Sequence, residues 1–185
     1  MLDISEYTEK LKRGEVMLYP TDTIWGIGCD ATNEEACQKI SNIKNRPSEK
    51  SFIILVDSFS MLEKYVPDFH EVCYELVDNT DKPLTIIYPT SRNIAPSAIA
   101  YDGSIGVRIT TDPFCRKLIK SLRKPILSTS ANLSGKAFPL TFDEINNQIK
   151  NGVDFIINDR LKEKMDTPSQ IIKIDLDGSV KIIRH

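Results

Sequence analysis

The chain has 185 residues, 41 % hydrophobic and 27 % charged, with 8 Gly and 10 Pro. That is one domain's worth of globular sequence. It can bury about 70 % of its unfolded surface, and the composition excludes disordered, collagen-like and low-complexity classes. The net charge of −2 weighs against a dedicated non-specific nucleic-acid binder, and the longest apolar run, Phe52 to Val56, falls far short of the roughly 20 residues of a membrane helix.

In chain order, residues 3–13 pattern as a helix stopped by Gly14, and Val16-Met17-Leu18-Tyr19 as a buried strand ended by Pro20. Thr32-Asn33-Glu34-Glu35 reads as a capping box opening a helix to about Asn42. Residues 51–56 form the next strand, and Phe69, Val72, Cys73, Leu76 and Val77 repeat at helical spacing. Residues 84–88 and 104–110 are strands. Asp112-Pro113 starts a helix to about Leu122, and Pro125 to Ser128 is a strand. Thr141-Phe142-Asp143-Glu144 reads as a second capping box, and residues 154–157 as a strand. Segments 170–175 and 179–184 make a hairpin around Asp177-Gly178. Interleaved strands and helices with a terminal hairpin predict an α/β domain with a mixed sheet. No repeat or Pro/Gly/Ser-rich linker divides it, so a single domain over 1–185 is expected.

Cys29, Cys37, Cys73 and Cys115 contain no C-x-x-C pair; reduced thiols in a cytoplasmic protein are expected, with two disulfides the alternative. The first residues lack the basic and apolar regions of a secretory signal. The only histidines are His70 and His185, which disfavours a zinc site and His-based nucleophilic catalysis.

Several segments carry chemistry. Gly26-Ile27-Gly28-Cys29-Asp30-Ala31 fits G-x-G-x-x-A, but it does not come straight off a strand, so a dinucleotide site is disfavoured; no P-loop is present. Pro20-Thr21-Asp22-Thr23 follows a buried strand, where α/β proteins place ligands, or it is an ordinary polar turn. Lys44-Asn45-Arg46-Pro47 puts two cations within reach of one anion, or complements a helix dipole. Ser128 to Gly135 is dense in hydroxyls and an amide that suit phosphate or carboxylate oxygens, or it caps the next helix. Arg116 to Lys124 holds five basic residues in nine; it can meet RNA phosphates or form the solvated face of a helix.

Taken together, these segments resemble the threonylcarbamoyl-AMP synthase family, the YrdC/TsaC-like proteins. The resemblance runs from Tyr19-Pro20-Thr21-Asp22-Thr23 to Ala31, then through Ile43-Lys44-Asn45-Arg46-Pro47, Lys82 to Thr85 and Ile105 to Ile109. It ends in Ser128 to Gly135, Thr167-Pro168-Ser169-Gln170 and Arg184. The family's paired signature, K-x-R then S-x-N, stands as Lys44-Asn45-Arg46 and Ser130-Ala131-Asn132. The chain resembles the short form of the family. It departs from it in having Ser51-Phe52-Ile53-Ile54-Leu55 where many members carry a histidine, and Gln170 where the late motif carries threonine.

The resemblance implies a YrdC-like twisted mixed sheet with flanking helices around a central ligand pocket. It implies that L-threonine, bicarbonate and ATP are joined into L-threonylcarbamoyl-adenylate with release of pyrophosphate, for modification of tRNA adenosine 37. ATP is then a substrate accompanied by Mg2+, with no direct protein ligation of the metal. Further partners are tRNA and the threonylcarbamoyl-transferase complex, with no membrane. By resemblance Lys44 and Arg46 are catalytic. Lys44, Arg46, Ser130, Asn132 and Arg184 take ATP. Thr21, Ser128, Ser169 and Arg108 take threonine, with Thr23 and Ser51 as further candidates. The alternative is a non-catalytic tRNA- or double-stranded-RNA-binding module on the same fold.

Overall fold

The computed structural model describes residues 2–46 and 52–185. Helix α1 (Ile4–Lys12), capped by Asp3, leads through Gly14 into β1 (Met17–Tyr19). Next comes β2 (Gly26–Asp30), a strand the sequence pattern did not announce. Helix α2 (Glu34–Lys44) is capped by Asn33, not Thr32, whose hydroxyl instead donates to Asp30. Then follow β3 (Ile53–Val56), α3 (Phe59–Tyr65), α4 (Val72–Asp78), β4 (Leu84–Tyr88) and β5 (Ile105–Ile109). Helix α5 (Pro113–Leu122) carries the expected Asp112 cap and Pro113 start and precedes β6 (Ile126–Ser130). The 141–144 segment is not a helix: Glu144 accepts from the Leu140 amide, and α6 (Asn147–Gly152) begins later under Asn146. Strands β7 (Phe155–Ile156), β8 (Gln170–Ile174) and β9 (Val180–Arg184) complete the chain, the last two as the expected hairpin.

Among the described residues nine strands join one mixed sheet, in the order β7-β1-β2-β6-β3-β5-β4-β8-β9. Parallel pairs (β1–β7, β3–β5, β4–β8) are interspersed among antiparallel ones, three of which, β1–β2, β2–β6 and β6–β3, follow in succession. Because side chains alternate along a strand, Ile53, Leu55, Thr85, Ile87, Gly106, Arg108, Ser128 and Ser130 come to one face. Their neighbours Ile54, Ile86, Val107 and Leu127 are buried in the core on the other. The four cysteines are free and buried. No helix among the described residues is long and apolar enough to cross a membrane.

The G-x-G segment has a packing role. Gly26 and Gly28 lie in β2 opposite Tyr19 and Met17. A Cβ on Gly28 would stand 2.7 Å from the Leu127 carbonyl oxygen and 2.9 Å from the Tyr19 ring. The missing side chains leave room for that ring.

Candidate functional site

The cavity of about 270 Å³ over this face draws its lining from the β1–β2 loop, five strands and the tail hairpin. Thr21, Thr23, Arg46, Arg108, Ser128, Ser130, Ser169 and Arg184, all singled out in the sequence, line it together. Lys44 and Asn132 are beside it, not in its lining, and Ser51 lies outside the described residues, as does Pro47.

Each polar group is held. Thr21 Oγ1 accepts the Thr23 and Ile24 amides at 3.0 and 3.1 Å and donates to the Ile24 carbonyl at 2.7 Å, so one hydroxyl ties the loop into a turn. The loop is thus the expected polar turn, and it also lines the cavity. Thr23 Oγ1 accepts from Arg108 at 3.1 Å, and Asp22 lies 3.2 Å from the same guanidinium. Arg108 is 5 % exposed, and its Nε has no hydrogen-bond partner. Opposite, the Tyr19 hydroxyl donates to Ser128 Oγ at 2.6 Å, with its own pKa raised by burial. Ser169 Oγ is 2.9 Å from Thr85 Oγ1, and Arg184 donates twice to the Ser169 carbonyl at 2.9 and 2.7 Å.

Lys44 and Arg46 part company at the end of α2. Asn45 between them takes a left-handed backbone, φ 50°, and ends the helix. Arg46 then turns to the cavity with its guanidinium 4.6 Å from the centre of the Phe52 ring. Lys44 stays buried, and its ammonium donates to the carbonyls of Ser130 and Asn132. Burial, and then repulsion from Arg46, pulls Lys44 down to about 7, while the two carbonyls favour its charged form. Burial also lowers Arg46 and Arg184, the latter further lowered by Arg108. Guanidinium groups keep their charge through such shifts.

The cavity therefore holds three guanidinium groups and, among the described residues lining it, no carboxylate. Such a site calls for anions. No group of three His, Cys, Asp or Glu among the described residues is placed to hold a metal ion. A neighbouring cavity of about 300 Å³ is lined by Ala131, Asn132, Leu133 and Lys136. There the Asn132 amide nitrogen donates to the carbonyls of Leu133 and Lys136, and its oxygen is left without a partner.

The model of the Sua5/YciO/YrdC family, described as telomere recombination, matches residues 9–185. The chain belongs to the Sua5/YciO/YrdC family. Among similar members, a threonylcarbamoyl-AMP synthase of Pseudoalteromonas translucida is 32 % identical over 173 residues, 92 % of this chain and 91 % of that one. In structure the chain is similar to P. abyssi Sua5 complexed with L-threonine, with TM-score 0.81 and 26 % identity over 92 % of this chain and 50 % of that one. It is also similar to E. coli YciO, with TM-score 0.82 and 25 % identity over 98 % and 88 %. The chain thus spans about half the length of that Sua5 structure.

Within this Sua5/YciO/YrdC fold, three contributors were given no site role in the sequence reading. Thr85 enters there only as the end of the Lys82 to Thr85 segment, and its hydroxyl meets Ser169 in the fold. Tyr19 reads as a structural aromatic, and only its register opposite Gly26 brings its hydroxyl to Ser128. Arg160 lies in a polar stretch without pattern, yet bonds the carbonyl of Thr21, 139 residues earlier.

Proposed function

We propose that this protein is an enzyme that forms L-threonylcarbamoyl-adenylate and pyrophosphate from L-threonine, bicarbonate and ATP, as a single domain over 1–185 acting in the cytoplasm. The observation that carries the reading is the cavity's charge: three guanidiniums among hydroxyls, without a carboxylate in the described lining. Each reactant brings an anionic group to such a site. The threonine amine takes up carbon dioxide derived from bicarbonate to give a carbamate. A carbamate oxygen then attacks the α-phosphate, and pyrophosphate leaves. The carbamate is itself an anionic nucleophile, so the protein's work is orientation and charge neutralisation. His and Cys nucleophiles are not needed.

In this reading the Arg108 guanidinium takes the threonine carboxylate, while Thr21, Thr23, Ser128 and Ser169 surround the rest of the amino acid. Arg46, Ser130 and Arg184 meet the phosphates. Adenosine extends towards the neighbouring cavity beside Asn132, and Lys44 contributes by holding the 130–132 backbone. Mg2+ suits this arrangement as a companion of the triphosphate. With no carboxylate in the described lining, its ligands would be phosphate oxygens and water.

The product would serve the modification of tRNA adenosine 37 together with a threonylcarbamoyl-transferase complex. Contact with tRNA would fall on α5, whose outward residues Arg116, Lys117, Lys120 and Arg123 are exposed, with none of them in an ion pair among the described residues. The testing experiment is pyrophosphate release from ATP with L-threonine and bicarbonate omitted in turn. Release that needs both supports the synthase. No release from folded protein, together with tRNA binding that weakens steeply with salt, would favour the RNA-binding module instead.

A further inference from the structure

Arg160 has a left-handed backbone, φ 50°. It does not end a helix, as Asn45 and Arg123 do. Glycine adopts this conformation freely, whereas a long L side chain is strained there. Strain of this kind persists where the surroundings over-determine it, and it clusters at functional sites. The side chain shows what holds it. One terminal nitrogen donates to the Thr21 carbonyl at 3.1 Å, and the other to Asp112 Oδ2 at 3.0 Å. Asp112 is 5 % exposed, and its other oxygen accepts the Cys115 amide at 2.8 Å as the cap of α5. The guanidinium thus fastens the β1–β2 loop to the start of a packed helix.

That loop carries the Thr21 and Thr23 hydroxyls, and Thr23 in turn bonds Arg108. Arg160 itself is not in the cavity lining. We propose that Arg160, braced on Asp112, is a positioning residue. It sets where Thr21, Thr23 and Arg108 stand in the cavity and so governs affinity for the amino-acid substrate. This rests on the reading that the cavity takes threonine. An ion pair serving stability alone would have no reason to strain the backbone while gripping the carbonyl of a cavity residue.

Arg160→Gly separates the two roles, because it eases the backbone while deleting the grip. The expected result is a melting temperature at or near that of the wild type and a threonine KM raised about tenfold, with kcat and the ATP KM changed less than about twofold. Arg160→Ala loses the grip and keeps the strain, so it raises the threonine KM and also lowers the melting temperature. Asp112→Asn keeps an oxygen for the α5 cap but turns an amide donor towards the guanidinium. It should raise the threonine KM alike, and the Arg160→Gly/Asp112→Asn double variant should be no worse than either single change. A readout independent of turnover is hydrogen exchange at the Thr23 and Ile24 amides, which should quicken in Arg160→Gly. A wild-type threonine KM in Arg160→Gly, additive effects in the double variant, or unchanged exchange at those amides would each overturn the proposal. A wild type that releases no threonine-dependent pyrophosphate would strike the underlying reading instead, and the exchange measurement would still judge the positioning.

Discussion

Arg46 faces the cavity over the Phe52 ring, whereas the Lys44 ammonium is buried against two carbonyls. The two therefore answer differently to truncation. Arg46→Ala should lower kcat/KM by about 10²–10³, the scale of losing one charge-stabilising donor, with a smaller loss of stability than Lys44→Ala. Lys44→Ala should lower activity and also cost about 2–3 kcal/mol of stability, because the Ser130 and Asn132 carbonyls lose a charged donor. Urea denaturation beside steady-state kinetics checks both, and equal stability losses in the two variants would refute the distinction. Gly28 offers a second residue-level test. A Cβ there meets the Leu127 carbonyl oxygen, a backbone atom that cannot swing aside. Gly28→Ala should destabilise by about 1–3 kcal/mol. It should also displace the Tyr19 hydroxyl from Ser128, which a raised threonine KM would report.

Elements with strong local signals were legible in the chain: α1 before Gly14, α5 behind Asp112-Pro113, and the β8–β9 hairpin around Asp177-Gly178. Strand β2 was not, because its glycines read as a loop and its stability comes from pairing with β1 and β6, far along the sequence. Helix α3 also went unread, although α4, equally short, was read from its apolar spacing. The Thr141 to Glu144 pattern failed because Glu144 is taken up by the Leu140 amide, a contact that spacing cannot reveal. At the site, the motif residues Thr21, Ser130 and Arg184 stand out in the sequence and line one cavity. The supporting bonds from Tyr19 and Arg160 depend on register and on a distant loop. The last turn of α2 has a titration consequence of its own. Native Lys44, at about 7, lies below its ordinary value of 10.5. Between these values the unfolded chain holds a proton that the native protein releases, so stability should rise as pH increases from about 7 towards 10. Below about 7 the cost of the buried charge is present in full. Urea midpoints across this window should climb in the wild type and flatten in Lys44→Met.

At the scale of the molecule, the cavity joins seven strands and the β1–β2 loop, so a ligand filling it ties distant segments together. L-threonine or ATP at about 100 times its dissociation constant should each add about 2.7 kcal/mol, and the two together about 5.4 kcal/mol. For a domain of this size that is a melting-temperature rise of about 5–10 °C with one ligand and about 10–20 °C with both. A thermal-shift titration measures it, and no shift with both ligands would argue against the cavity as their site. The strand order carries a consequence for synthesis as well. Residues flanking one another across the sheet leave the ribosome far apart in time: Gly26 waits for Ser130, and Thr85 for Ser169. Arg184 reaches the Ser169 carbonyl only once β9 has emerged. A partly translated chain can therefore own its first helix and hairpin yet hold no complete site. Substrate can reward the fold only after β9 has emerged.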